Sequence, residues 1–165
     1  MDKKSDKKEE KGRIRSTIMV AIDFSSYSAV ALRKARSMVR EKSDRILALH
    51  VVDQDFVKDC VLNALGEEKN IKQKLIHNAK EKLKTFLNKE GIVGESVDKL
   101  VCEGVPYLEI NRQAVLNDID MIVMGSRGNS GDMNSIFFGS TTERVLRFIK
   151  RPVLCVPLED DNKPI

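Results

Sequence analysis

Short apolar runs rich in β-branched residues alternate along this chain with longer stretches of helical periodicity. Each run is too short for a helix and is typical of a strand buried on both faces. The longer stretches place apolar residues three and four positions apart and charged residues between them. Strict alternation of strands and helices predicts an α/β fold, an open parallel sheet with helices on both faces.

The predicted strands cover residues 16–22, 45–52, 96–103, 119–124 and 152–157. The predicted helices cover residues 25–41, residues 67–90 with Gly91 closing them, a segment that opens at Pro106, and a segment that ends near Lys150 with Val145 and Ile149 inside. Asp23, Ser25 and Ser26 are alternative N-caps of the first helix. Residues 53–66 are consistent with either a short helix or a loop.

Two of the predicted strands have the features of sheet edges. Lys99 falls on the same side of its strand as Val97 and Val101, which indicates a wetter face. Pro152 and Pro157 bracket the last strand, and prolines at strand ends suit an edge.

Length and composition indicate one globular domain. The chain has 165 residues, 41% of them hydrophobic and 33% charged, and no apolar run approaches the ~20 residues of a membrane span. The first residues carry no apolar stretch typical of a secretion signal. Cys60, Cys102 and Cys155 lie far apart, which disfavours a disulfide framework and a cysteine zinc site. We therefore expect a cytoplasmic domain at 16–158 without a membrane partner.

The net charge of +4 is concentrated in the N-terminal segment. Residues 1–15 contain seven of the 29 Lys/Arg and four of the 25 Asp/Glu, which leaves 22 and 21 for the rest of the chain. The domain is thus nearly neutral, and no basic face for nucleic acid is expected. We expect a disordered charged tail at 1–15 and a C-terminal tail at 159–165.

A ligand site is predicted at the carboxyl ends of the first and fourth strands, where open α/β sheets bind ligands. Asp23 follows the first strand, and a loop punctuated by Gly125, Gly128 and Gly139 follows the fourth. Glycines, a helix start and its hydroxyl residues make a cradle for phosphate. The alternative interpretation is a flexible loop followed by an ordinary cap. The Walker, dinucleotide-binding, nucleophile-elbow and zinc-protease motifs are missing.

The two histidines offer little to a catalytic triad. His50 lies within a strand and is predicted to be packed, and His77 lies on a helix and is predicted to be on the surface.

The stretch from Asp120 to Gly128, the Gly139-Ser-Thr that follows it and the last strand before Pro157 resemble the universal stress protein family. The resemblance covers roughly residues 16–158 and includes Asp23, His50-Val51 and Gly104-x-Pro106. ATP-binding members of the family have the pattern G-x2-G-x9-G-[ST]. The resemblance therefore rests on several separate pieces of the chain.

The resemblance implies a Rossmann-like sheet of order 3-2-1-4-5 and a homodimer paired through the last strand, Val153–Val156. It implies ATP with Mg²⁺ or Mn²⁺, with Asp23 near the adenosine, Val51 on the adenine, and the glycines with Ser140 and Thr141 on ribose and phosphates. It gives no metal ligands. The cofactor-binding residues it implies are Ala21, Ile22, Asp23, Val51, Met124, Gly125, Arg127, Gly128, Gly139, Ser140 and Thr141.

Two departures from the family pattern bear on the function. Ten residues, rather than nine, separate Gly128 from Gly139, and Ala21-Ile22 replaces a Pro-Thr pair. The extra residue can form a bulge, or it can displace the Gly139 amide by up to ~3 Å. The leading hypothesis is an ATP-dependent regulatory switch or stress-response factor with an unidentified protein partner. The alternatives are an interaction module without nucleotide and a slow ATPase or self-phosphorylating protein; efficient catalysis is not expected, because Arg127 is the loop's one cation.

Overall fold

A computed structural model describes most of the predicted domain. It covers residues 16–40, 43–63, 67–92, 97–128 and 138–158. The predicted tails, 1–15 and 159–165, and most of the glycine loop, 129–137, lie outside the described residues.

Five parallel strands form one sheet of order β3-β2-β1-β4-β5, as predicted. The strands are β1 (Thr17–Ala21), β2 (Arg45–Asp53), β3 (Asp98–Gly104), β4 (Met121–Gly125) and β5 (Val153–Val156). β1 lies in the centre between β2 and β4, so the chain reverses its direction across the sheet at β1. The edges are β3 and β5, as the sequence predicts, and Lys99 of β3 is exposed.

Helices cover both faces of the sheet. They are α1 (Ser26–Met38), α2 (Gln54–Leu62), α3 (Glu68–Lys89), α4 (Pro106–Leu116) and α5 (Ser140–Arg147). One core cluster joins Leu32 of α1 and Leu83 of α3 to the sheet, and the other joins Ile110 of α4 and Val145 of α5. No helix within the described ranges is both long enough and apolar enough to cross a membrane.

The start of helix α1 is set by its N-cap residue. Ser25 is the N-cap, and its side chain accepts a hydrogen bond from the Ser28 amide. This contact decides between the three predicted caps and satisfies one of the unpaired amides of the first turn. Leu32 and Ala35 are fully buried one turn apart, so the apolar stripe sets the face that packs on the sheet.

The structure resolves one open prediction and corrects another. The segment after β2 is helical, so the short-helix alternative for 53–66 holds for Gln54–Leu62. The last helix ends at Arg147, earlier than predicted, and Ile149, which was predicted to be inside, is half exposed. Phe148 is the C-cap of this helix, and Pro152, whose ring disfavours helix in the residue before it, prevents the helix from continuing into β5.

Candidate functional site

A cavity of about 250 Å³ lies where β1 and β4 end. Because β1 pairs with β2 on one side and β4 on the other, this is the point at which the sheet order reverses. A crevice outside the carboxyl ends of strands at such a point is the usual ligand site of an open α/β sheet.

The cavity gathers the predicted cofactor-binding residues. Its lining includes Ala21, Ile22, Asp23, Val51, Met124, Gly125, Arg127, Gly128, Gly139, Ser140 and Thr141. Sequence reasoning missed the other lining residues, which are Ser28, Leu49, His50, Pro106, Ile110 and Thr142. Two of these residues could have been predicted from their neighbours in the sequence: Thr142 continues the Ser-Thr run after Gly139, and His50 is adjacent to Val51. Leu49 and Ile110 could not, because only the fold brings them to this edge.

The lining has an apolar part and a polar part. The apolar part comes from β2, β4 and α4, with Leu49, Val51, Pro106, Ile110 and Met124. The polar part comes from the connection after β4 and the first turn of α5, with Arg127, Gly128, Gly139, Ser140 and Thr141. An apolar pocket with a few convergent polar groups is typical of a small-molecule site.

The Asp23 carboxylate is held by the turn that follows β1. Its Oδ1 accepts hydrogen bonds from the Ser25 amide at 3.0 Å and the Ser25 hydroxyl at 2.5 Å. These bonds form an Asx-type turn, which fixes the side chain relative to the strand end. The other carboxylate oxygen, Oδ2, occupies the place where a Cβ on Gly128 would lie. A side chain at position 128 would therefore have to displace the Asp23 carboxylate from the place where Ser25 holds it.

Gly125 is required by packing. A Cβ there would lie 2.6 Å from the Tyr27 Cβ and 2.9 Å from the Arg127 carbonyl oxygen. Absence of a side chain lets the end of β4 approach the first turn of α1. Gly125 therefore has a structural role as well as a place on the cavity wall.

The first turn of α5 faces the cavity without a side-chain cap. Gly139 is the N-cap, and no side-chain hydrogen bond among the described residues caps the helix. The Gly139 amide donates to the Ser126 carbonyl at 2.9 Å, and the Thr142 hydroxyl donates to the Gly125 carbonyl at 3.0 Å. The helix is thus tied to the end of β4, and its amino end adds a partial positive charge to the polar part of the cavity.

His50 is both packed, as predicted, and part of the lining. Its Nδ1 is 2.7 Å from the carbonyl oxygen of Ile22, and its ring centroid is 4.3 Å from that of Phe24. Because a carbonyl only accepts, Nδ1 carries the proton. Burial lowers the pKa of His50 below its ordinary value of 6.5, so the ring is neutral at pH 7.

Within the described residues, no group of three His, Cys, Asp or Glu side chains is placed to hold a metal ion. Asp23 is the carboxylate that lines the cavity in this part of the chain.

Helix α2 contributes nothing to this cavity. Its described residues instead line a second cavity of about 360 Å³ against α3 and Glu103, where Lys72 forms ion pairs with Glu68 and Glu103.

The chain is similar to universal stress proteins in sequence. The model of the Universal stress protein family matches residues 15–157. Universal stress protein MJ0577 of Methanocaldococcus jannaschii is 30% identical over an alignment 151 residues long, which covers 84% of this chain and 93% of that protein. The solved structure of MJ0577 has a TM-score of 0.74 at 29% identity and covers 88% of this chain and 98% of its own.

Two more distant structures of the same fold contain nucleotides. A universal stress protein in complex with cAMP has a TM-score of 0.50 at 19% identity, covering 87% of this chain and 97% of its own. A family member from Arabidopsis thaliana with AMP bound has a TM-score of 0.50 at 16% identity, covering 90% of this chain and 95% of its own. At this identity the likeness shows a shared fold.

Proposed function

Because the chain belongs to the universal stress protein family, we propose that it is a regulatory protein that binds ATP at the carboxyl ends of β1 and β4. The observation that carries the proposal is the division of the cavity lining into an apolar part and a polar part. A nucleotide has the same division, with a flat base at one end and phosphates at the other. The fold also accommodates adenine nucleotides in the two proteins solved with cAMP and AMP.

The base belongs with the apolar residues. Val51 and Leu49 come from β2, and Ile110 comes from the first turns of α4. Burying a flat ring among such side chains is favourable at roughly 25 cal/mol per Å² of apolar surface. Asp23, at the end of β1, stands between this part and the polar part, where a ribose hydroxyl would meet a carboxylate acceptor.

The phosphates belong with the amino end of α5. The Ser140 and Thr141 hydroxyls line the cavity beside uncapped first-turn amides, and Arg127 adds a full positive charge. Phosphate at a helix amino end is stabilised by amide donors and by the dipole. Mg²⁺ or Mn²⁺ would arrive with the nucleotide, held mainly by phosphate oxygens.

The way in which the cradle joins the sheet edge supports a regulatory role. The Ser126 amide donates to the Val156 carbonyl at 2.8 Å, and the Ser126 carbonyl accepts from the Gly139 amide. The residue that follows β4 thus contacts both the α5 cradle and the end of β5. A nucleotide that orders the cradle would bias the conformation of this edge, and through it a partner interaction.

The proposal is tested by nucleotide content and by titration. Freshly purified protein is heat-denatured, and the supernatant is analysed by ion exchange for ATP, ADP and AMP. Apo protein is then titrated by calorimetry with MgATP and MgAMP. We expect saturable MgATP binding, weakened about tenfold or more in Arg127→Gln and unchanged in Arg147→Gln, since Arg147 is exposed and paired with Glu143.

Absence of saturable binding of either nucleotide at millimolar concentration would reject the proposal. Tight MgATP binding that Arg127→Gln and Arg147→Gln leave equally unchanged would show that the phosphates lie elsewhere. Unaltered ATP after hours with stoichiometric protein would exclude the ATPase alternative.

A further inference from the structure

The pairing of β1 with β2 stops one residue after β1 ends. The last register pair is Ala21 with Leu49, and the Ile22 amide donates to the Leu49 carbonyl at 2.8 Å. In a parallel ladder, main-chain groups of alternate residues point to the same neighbour, so the next bond would run from the Val51 amide to the Ile22 carbonyl.

A side chain takes that place. The Ile22 carbonyl accepts from His50 Nδ1 at 2.7 Å, and no bond from the Val51 amide to this oxygen is formed within the described main chain. Val51 therefore keeps an amide and a carbonyl on the side of β2 that β1 has left. Both Val51 and His50 line the cavity at this gap.

The His50 ring is held in position from the other side. Phe24 packs on it with 4.3 Å between centroids, and Phe24 itself contacts Phe86 and lies 4.4 Å from the Lys82 ammonium. Phe24 has a φ of 67°, a conformation uncommon for a bulky residue, and this turn directs its ring back over β2. A strained residue thus fixes the direction of the His50 donor.

We propose that His50 is a positioning residue for base selection: by binding the Ile22 carbonyl, it leaves the Val51 amide and carbonyl free to read adenine. An amide and a carbonyl of one residue match the adenine edge, where N1 accepts and the N6 amino group donates. Hypoxanthine and guanine present a donor at N1 and an oxygen at C6, so both contacts become repulsive. The inference rests on the proposed nucleotide site and on the contact of Val51 with adenine that the family resemblance implies; what it adds is the role of His50.

The test compares MgATP with MgITP, whose base differs from adenine at this edge. The variants are His50→Asn, which keeps an N–H near the position of Nδ1, and His50→Gln, which moves it outward. We expect wild type and His50→Asn to prefer MgATP over MgITP, and His50→Gln to lose about tenfold of that preference. The ratio of MgATP to MgAMP affinity should be equal in all three, because the phosphate end is untouched.

Equal preference for MgATP over MgITP in wild type and both variants would overturn the inference while leaving the nucleotide site intact. Absence of MgATP binding in wild type would instead reject the proposed function. Hydrogen exchange at the Val51 amide of wild type gives an answer that needs no variant. We expect rapid exchange in the free protein and protection with MgATP, and protection already present in the free protein would refute the inference.

Discussion

At the scale of single residues, the close approach of Asp23 to Gly128 constrains the wall of the cavity. The Asp23 Oδ2 fills the space beside Gly128, while Oδ1 is held by Ser25. We expect Gly128→Val to abolish MgATP binding, because the new side chain must displace the carboxylate that the turn holds in place. Calorimetry measures the loss, and far-ultraviolet circular dichroism shows that the helices persist.

Gly128→Val binding MgATP as tightly as wild type would mean that the phosphate cradle is elsewhere. If Gly128→Val neither folds nor binds MgATP, Arg127→Gln tests the position of the phosphates instead, because it does not alter a glycine of the loop.

His50 makes stability depend on pH. Burial lowers its pKa and the Lys82 charge adds to the effect, against the opposing Ile22 hydrogen bond and Asp23 charge. The unfolded chain therefore binds the proton more readily, and stability that is complete above pH 6.5 is lost as the pH falls toward the folded-state pKa. We expect wild type to lose more free energy of unfolding than His50→Asn between about pH 7 and pH 5 in urea titrations.

His77→Asn is the matched control, since His77 is exposed on α3. An identical pH dependence in wild type and His50→Asn would show that His50 does not cause the change.

Some residues of the cavity can be predicted from local sequence patterns, and others cannot. Glycine spacing and an aspartate at a strand end marked Gly125, Gly128 and Asp23, because a cradle needs small residues near a helix start. Whether these residues bind ATP stays a prediction. His50 is packed, as predicted. Its place in the cavity lining and its bond to Ile22 depend on the register of β1 against β2, which no local sequence pattern encodes.

At the scale of elements, the α1 cap joins the stability of a helix to the geometry of the site. Ser25 accepts from the Ser28 amide and donates to Asp23. We expect Ser25→Ala to lower the free energy of unfolding by about 1 kcal/mol and to weaken MgATP binding, because the carboxylate loses a partner. Ser37→Ala is the control: it changes the same residue type on the same helix, but the Ser37 hydroxyl is exposed and donates to the Lys34 carbonyl of its own helix.

Chemical denaturation and calorimetry measure the two effects separately. Equal stability of the two variants would show that the cap contributes nothing, and unchanged binding in Ser25→Ala would show that Asp23 does not need it.

Element types were predictable from periodicity, and most ends were predicted within two residues. Gly91 ends α3 with a φ of +73°, and Pro106 opens α4, because each residue favours that backbone position. The end of α5 was placed too late, since Val145 and Ile149 continue a helical spacing that the turn toward Pro152 interrupts. The sequence of residues 53–66 does not decide between a short helix and a loop, because its apolar pattern is weak. Phe56, which is part of that pattern, is mostly exposed in α2.

At the scale of the whole molecule, the alternation of elements predicted a parallel α/β sheet but not its order. Strand order depends on which crossover passes over a neighbour, and local patterns do not encode this. The order 3-2-1-4-5 came from the family resemblance, and the structure confirms it. Lys99 and the bracketing prolines identified both edges correctly, because edges tolerate wet faces and missing donors.

The free edge of β5 presents main-chain groups to a partner. Pro152 and Val156 direct their carbonyls at β4, since these accept from the Ile122 and Ser126 amides. The alternate residues Val153 and Cys155 therefore direct their amides and carbonyls away from the sheet. An apolar edge with unpaired donors is a template for pairing with a second chain.

We propose that two copies of the chain pair through Val153–Val156, and sedimentation equilibrium tests it. Wild type at micromolar concentration should have twice the 18.6 kDa mass of one chain. Cys155→Pro removes an outward amide while sparing the bonds to β4, and should shift the protein toward monomer without a matching loss of thermal stability. A single 18.6 kDa species in wild type would refute the dimer. A dimer that Cys155→Pro leaves intact would place the interface on another surface. The contacts of Ser126 with the α5 cradle and with β5 would then not connect the nucleotide site to the dimer interface.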